Sequence, residues 1–151
     1  MKKFFVIAAS LLLTVTAASA AVFTLCDDDR PIKYEELPAE SKSFIDKYFG
    51  KEKVSHVTID RDLIGTEYKV VFMSGTKLEF VGSGEWKEID CRYTAVPEAL
   101  IPSAIVDYVN EYYPESKIVE LKHDYRGWEV KLTGGLELTF NDNFKLVDID
   151  D

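Results

Sequence analysis

Chemistry in this chain would have to come from its histidines, its cysteines or its clustered carboxylates. The histidines are His56 and His123, with Asp60 four residues after the first and Asp124 directly after the second. A His–Asp pair could act as a general base, the carboxylate orienting the imidazole. Such a base also needs a nucleophile, and no G-x-S-x-G turn or comparable motif accompanies either pair. Strand histidines on a half-exposed surface are the simpler reading, so no catalytic residue is assigned. Cys26 and Cys91 have no histidine placed by a known motif, and two thiolates without further ligands do not make a zinc site. Carboxylates crowd at Asp27-Asp28-Asp29 and at Asp148, Asp150 and Asp151. Hard cations favour oxygen ligands, but the spacing of a dedicated calcium loop is absent. Both runs read as solvated tails. No metal site is assigned, no glycine-rich phosphate loop is present, and no cofactor is expected.

The start of the chain sets the compartment. Lys2 and Lys3 precede an apolar run from Phe4 to Leu13, and small residues lead to Ala18-Ser19-Ala20. A basic start, a short apolar core and an A-x-A site spell a secretory signal peptide over residues 1–20. The run is shorter than the roughly 20 residues a permanent anchor needs. No second apolar stretch follows, so no membrane span is expected. Bulky Leu25 and Phe23 argue against lipidation at Cys26. The expected destination is the periplasm or the exterior.

Removing the leader takes two lysines with it, leaving 131 residues and moving the formal charge from −9 to −11. A strongly acidic surface repels phosphate backbones and anionic lipid, which argues against nucleic acid as a partner. Basic proteins and divalent cations stay open. Export permits a disulfide, and Cys26–Cys91 is the candidate. It would restrict the unfolded chain by about 2–4 kcal/mol if unstrained, subject to a Cα geometry that sequence does not supply.

The elements that position these residues come from self-similarity. LPAESKSFIDKYFGKEKVSHVTID, from Leu37, aligns without gaps on IPSAIVDYVNEYYPESKIVELKHD, from Ile101. YKVVFMSG from Tyr68 then meets WEVKLTGG from Trp128, and WKEID from Trp86 meets FKLVD from Phe144. Each half reads as one helix followed by four strands. Ile101, Ala104, Ile105, Tyr108, Val109 and Tyr112 form one stripe of an amphipathic helix. Pro102 suits its first turn and Pro114 stops it; Gly50 ends the first helix as an expected left-handed cap. Phe44, Ile45, Tyr48 and Phe49 are its buried set. Strands alternate with period two, as in Trp128, Val130 and Leu132. Ser74-Gly75, Gly134-Gly135, Gly82-Ser83-Gly84 and Asn141-Asp142-Asn143 are the turns. Trp86 and Phe144 are expected in the core.

The expected fold class is therefore α+β: two tandem helix-plus-four-stranded antiparallel sheet repeats, each sheet covered on one face by its helix. The divisions are a signal peptide at 1–20, an arm at 21–33, one repeat at 34–91 and a second at 92–151. A unit near 60 residues buries only about 60% of its unfolded surface, so the repeats should pack as one body. One extended sheet is favoured over two facing sheets.

IPSAIVDYVNEYYPESKI, WEVKLTGGLELTF, their counterparts in the first half and the CDDDRPI segment carry a resemblance. The chain resembles the PepSY-like family of exported bacterial proteins, also described as similar to the beta-lactamase inhibitory protein. The resemblance runs from about Cys26 to Asp150. It implies a repeated helix-and-hairpin scaffold with a binding or inhibitory role, and it transfers no functional residue.

One asymmetry suggests where a partner would sit. Where the second half alternates Glu129, Lys131 and Thr133, the first has Lys69, Val71 and Met73, and Val81 stands where the second has Asn141. Apolar groups beside charges are characteristic of protein-binding surfaces; packing against the other half is the alternative. The expected function is thus an exported, non-enzymatic protein-binding module, with inhibition of a periplasmic or secreted enzyme as one role. A small-ligand or divalent-cation carrier is the alternative.

Overall fold

Pairing of strand edges, more than the character of any one segment, decides this architecture. The computed structural model describes residues 29–151, so the signal peptide and Cys26 lie outside the described residues. Elements follow in the order β1 (Arg30–Ile32), α1 (Ala39–Phe49), β2 (Val54–Arg61), β3 (Thr66–Phe72), β4 (Lys77–Val81), β5 (Trp86–Asp90), α2 (Ser103–Tyr112), β6 (Ile118–Asp124), β7 (Gly127–Leu132), β8 (Glu137–Phe140) and β9 (Leu146–Asp150). All nine strands join one antiparallel sheet in sequential order.

This corrects the expected two tandem helix-plus-four-stranded repeats. The one extended sheet favoured over two facing sheets is the form their strands take, with β1 as a ninth member. β5 pairs with β6 through Glu88↔Lys122, Ile89↔Leu121 and Asp90↔Glu120. The ladder continues past β5, where the Cys91 N–H donates to the Val119 carbonyl at 2.8 Å and the Val96 N–H to that of Ile118 at 2.9 Å. Two separate sheets would leave both strands with unpaired backbone groups, the feature that invites aggregation. The segment expected as a free arm also supplies β1, which covers the outer edge of β2. Pro31 on one outer strand and Asp148 and Asp150 on the other blunt the two remaining edges.

Period-two alternation gives the sheet two unlike faces. One lateral row runs Ile32, Val57, Val70, Leu78, Ile89, Leu121, Val130, Leu138 and Ile149, one residue per strand. Its six central members, Val70 to Leu138, are fully buried. Both helices cover this face. Phe44 meets Phe80 edge-on at 5.8 Å, Tyr108 meets Phe140 edge-on at 5.3 Å, and Phe49 stacks on Phe72 at 5.9 Å. Ile45 and Phe49 of α1 and Ile105 and Val109 of α2 are buried, as the stripes require; Tyr112 at the end of α2 is exposed. Gly50 is right-handed at φ −61°, contrary to expectation. A Cβ there would lie 2.5 Å from the Asp46 carbonyl oxygen, so close approach is what requires glycine.

Candidate functional site

The face opposite the helices carries charge in register. Across it one row reads Thr58, Lys69, Glu79, Glu88, Lys122, Glu129, Thr139 and Asp148. The next reads His56, Val71, Lys77, Asp90, Glu120, Lys131, Glu137 and Asp150. Eight carboxylates thus face four ammonium groups. Lys122 is central: its Nζ lies 2.8 Å from Glu120, 3.5 Å from Glu129 and 3.7 Å from Glu88. Burial works against its charge, yet the Glu120 hydrogen bond and the Glu88 and Glu129 carboxylates outweigh it and raise its pKa. Lys131 pairs with Glu137 and lies 3.9 Å from Glu120.

Two positions on this face set like charges opposite each other, Glu79 across from Glu88 and Asp90 across from Glu120. Glu88 shows the consequence. Burial first, then the Glu79 charge, push its pKa from 4.5 to about 7. The unfolded chain loses that proton near the ordinary value, so between the two pKa values the folded state binds the more protons. Stability therefore falls as pH rises from about 4.5 to about 7 and then levels off. Glu88→Gln should remove this slope. Its side chain is 24% exposed, and with solvent screening the gain should be about 1 kcal/mol at pH 8 and none at pH 4. Urea unfolding at both pH values measures it; an equal effect at both would contradict the assignment.

The four residues singled out from the sequence fall around this face. Lys69 is 3.3 Å from Asp29 and 3.7 Å from Glu79. Val71 lies between His56 and Lys77 in the register and Val81 opposite Glu67, both half-buried. Met73 lies just past the end of β3 and is 73% exposed. Register sets Lys69 and Val71 on one face of β3 with Val81 diagonal to Lys69, while Met73 lies beyond the paired stretch. At the end of the sheet where β2 turns into β3, Leu63 and Ile64 are fully exposed, on a loop closed by N–H groups of Ile64 and Gly65 donating to Asp62. Tyr125 is exposed on the β6–β7 turn at the same end.

The two histidines differ in their surroundings. His56 Nδ1 lies 3.3 Å from Ser55 Oγ. His123 stacks on Trp128 at 4.1 Å, while Asp124 is held by Arg126 Nε at 3.0 Å and Nη2 at 2.8 Å. Among the described residues no group of three or more His, Cys, Asp or Glu side chains is arranged to hold a metal. Cys91 is buried with no disulfide partner among the described residues, Cys26 lying outside them. As a thiol its pKa is pushed up to about 11 by burial and the Glu52 charge.

Sequence reasoning missed a groove on the helix side. It occupies about 470 Å³ between α1, the start of β5 and the strands beyond, lined by Glu40, Phe44, Glu85, Trp86, His123 and Trp128 among others. Trp86 is not core: it is half-buried, 6.3 Å from Phe44 and 6.0 Å from Trp128. Phe144, also expected in the core, is 38% exposed on the β8–β9 turn with φ +56°, its ring 6.2 Å from Trp128. The Asn141 side chain holds this turn by accepting the N–H groups of Asn143 and Lys145. Two tryptophans at the ends of hairpins were the available signal, but their meeting depends on the β5–β6 pairing.

A one-sided antiparallel sheet, helices on one face and charge on the other, defines the class of this α+β protein. The chain belongs to the PepSY-like family, described as putative beta-lactamase-inhibitor-like, whose pattern matches residues 66–148. It is similar to a putative calcium-regulated periplasmic protein from Bacteroides thetaiotaomicron, with 40% identity over 83% of this chain and 98% of that one, at a TM-score of 0.79. A putative periplasmic protein of the DUF2874 family from Bacteroides vulgatus matches at 40% identity and TM-score 0.79, covering 83% and 99%. A second B. vulgatus protein, described as periplasmic and of unknown function, matches at 35% identity and TM-score 0.76, covering 79% and 95%. No curated protein matches the chain. No helix among the described residues is long and apolar enough to cross a membrane.

Proposed function

We propose that the protein is a non-enzymatic binding module of the periplasm that engages a protein partner through the uncovered face of its sheet and the adjoining hairpin loops. The observation that carries this reading is the face itself: no described element packs on it, and its carboxylates outnumber its lysines two to one. Complementary charge steers association and fixes register, so the fitting partner is basic where it touches. Lys69, Val71, Met73 and Val81 belong to the first-half margin of that surface. Inhibition of an envelope enzyme suits a scaffold of this family, and the periplasmic description of its structural relatives supports the compartment. Cross-linking in periplasmic extract, comparing the native protein with Val71→Lys and Met73→Lys, tests the surface. Loss of a specific adduct is expected; identical adducts from all three proteins would remove this face.

A second reading is a response to divalent cations. The opposed Glu79/Glu88 and Asp90/Glu120 carboxylates favour it, since a cation would relieve their repulsion, and one relative is described as calcium-regulated. The lack of a ready ligand cluster among the described residues places it second. Calorimetric titration with calcium decides between them: no heat leaves the protein surface alone.

A further inference from the structure

The helix-side groove has a chemistry distinct from that of the charged face, although Val81 at that face's margin also lines it. Both tryptophans of the chain lie in it. Phe44, Trp86 and Trp128 follow one another at 6.3 and 6.0 Å, the two indoles tilted by 52°, and His123 stacks on Trp128 at 4.1 Å, so the lining is an unbroken series of aromatic rings. Half-exposed tryptophans gathered in one concavity are the residue type that dominates binding energetics. The rim is acidic. Glu40, in the first turn of α1, and Glu85, just before β5, both line the groove and are exposed. No basic side chain among the described residues pairs with Glu40. The one lysine in the lining, Lys87, is already paired with Glu67 at 2.6 Å.

This rim is held in place. The Ser41 hydroxyl, fully buried, donates to the Gly84 carbonyl at 3.1 Å and ties the start of α1 to the β4–β5 turn. Gly84 has φ +100°, and a Cβ there would lie 2.8 Å from Pro38 Cβ, so helix and turn sit in close contact. The two segments bearing Glu40 and Glu85 are thereby fixed beside one another.

We infer that the groove receives an arginine side chain from an extended peptide. A guanidinium is planar and weakly hydrated, and it stacks on indole faces while its N–H groups reach carboxylates. An aromatic floor beneath an acidic rim offers both interactions together. A neutral planar group would gain the stacking without the charge.

Because both indoles line the site, intrinsic fluorescence reports occupancy directly. The probe is acetyl-Gly-Gly-Arg-Gly-Gly-amide, titrated into the full chain at pH 8 and low salt, beside the same peptide with citrulline for arginine. The arginine peptide should give a saturable change and the citrulline peptide a response at least tenfold weaker. Glu40→Gln with Glu85→Gln, both surface changes that leave the fold intact, should weaken binding about tenfold. Glu111→Gln with Glu115→Gln, removing the same charge elsewhere, should leave it unchanged. Equal titrations for arginine and citrulline, equal losses for both double variants, or no saturable signal would each overturn the assignment.

Discussion

Truncating Leu121 to alanine is expected to lower stability by about 3–4 kcal/mol while leaving a single unfolding transition for the whole chain. Leu121 is fully buried in the lateral apolar row, between Ile89 of β5 and Val130 of β7. It has close-packed neighbours on both sides, so the cavity left by truncation has little freedom to collapse. The cost must be felt on both sides of the β5–β6 junction. Trp86 and Trp128, one on each side, make this measurable: each can be the sole fluorophore in a variant with the other tryptophan changed to phenylalanine. Both signals should move to the same lower urea midpoint. A Trp86 signal that keeps its original midpoint would mean that the two sides unfold independently.

Gly127→Ala should be the most damaging glycine change, on the order of 4 kcal/mol or more. Gly127 opens β7 with φ +124°, and a Cβ there would lie 2.2 Å from the Phe140 carbonyl oxygen and 2.9 Å from Asn141 Cα. These are backbone atoms of the adjacent hairpin, and they cannot rotate away. Gly134 provides the control. It has φ +102° with nothing within 4 Å of its would-be Cβ, so alanine there carries only the backbone penalty, about 1–2 kcal/mol. Thermal unfolding of both variants separates steric contact from dihedral preference. Equal losses would show that the close approach at Gly127 contributes nothing.

Local features of the fold were legible because local physics sets them. The apolar stripe of α2 located Ile105 and Val109 in the core, and Gly75 and the Gly134-Gly135 pair marked hairpin turns that the structure builds with positive φ. Strand alternation also put Lys69 and Val71 on the side away from Val70 and Phe72. Partners across the sheet were not legible, because period two gives a strand its faces and not its neighbours. The β5–β6 junction was therefore unreadable: burial favoured one extended sheet over two facing ones, which the structure has, but not the strands through which the halves would join. β1 carried too little pattern, being three residues with a proline at the centre. The same blindness hid both site features. Glu79 against Glu88, and Asp90 against Glu120, are facts of register. Trp86 reads as core by alternation, yet it lies at the strand end beside Phe44 of α1, where the groove opens. Phe144 reads likewise, but it falls in the turn itself, with the positive φ that no periodicity reports.

The charged face and the aromatic groove both cross the β5–β6 junction. Lys122 reaches Glu88 across it, and Trp86 meets His123 and Trp128 across it. Native-state hydrogen exchange at the Cys91 and Val96 amides, which donate to the Val119 and Ile118 carbonyls, tests that junction most directly. If the nine strands are one cooperative sheet, these amides exchange only through global unfolding, with the same free energy as the central amides of β3 and β7. Exchange at the junction orders of magnitude faster than in β3 and β7, with denaturant-independent opening, would show two separable sheets and remove the basis for both surfaces.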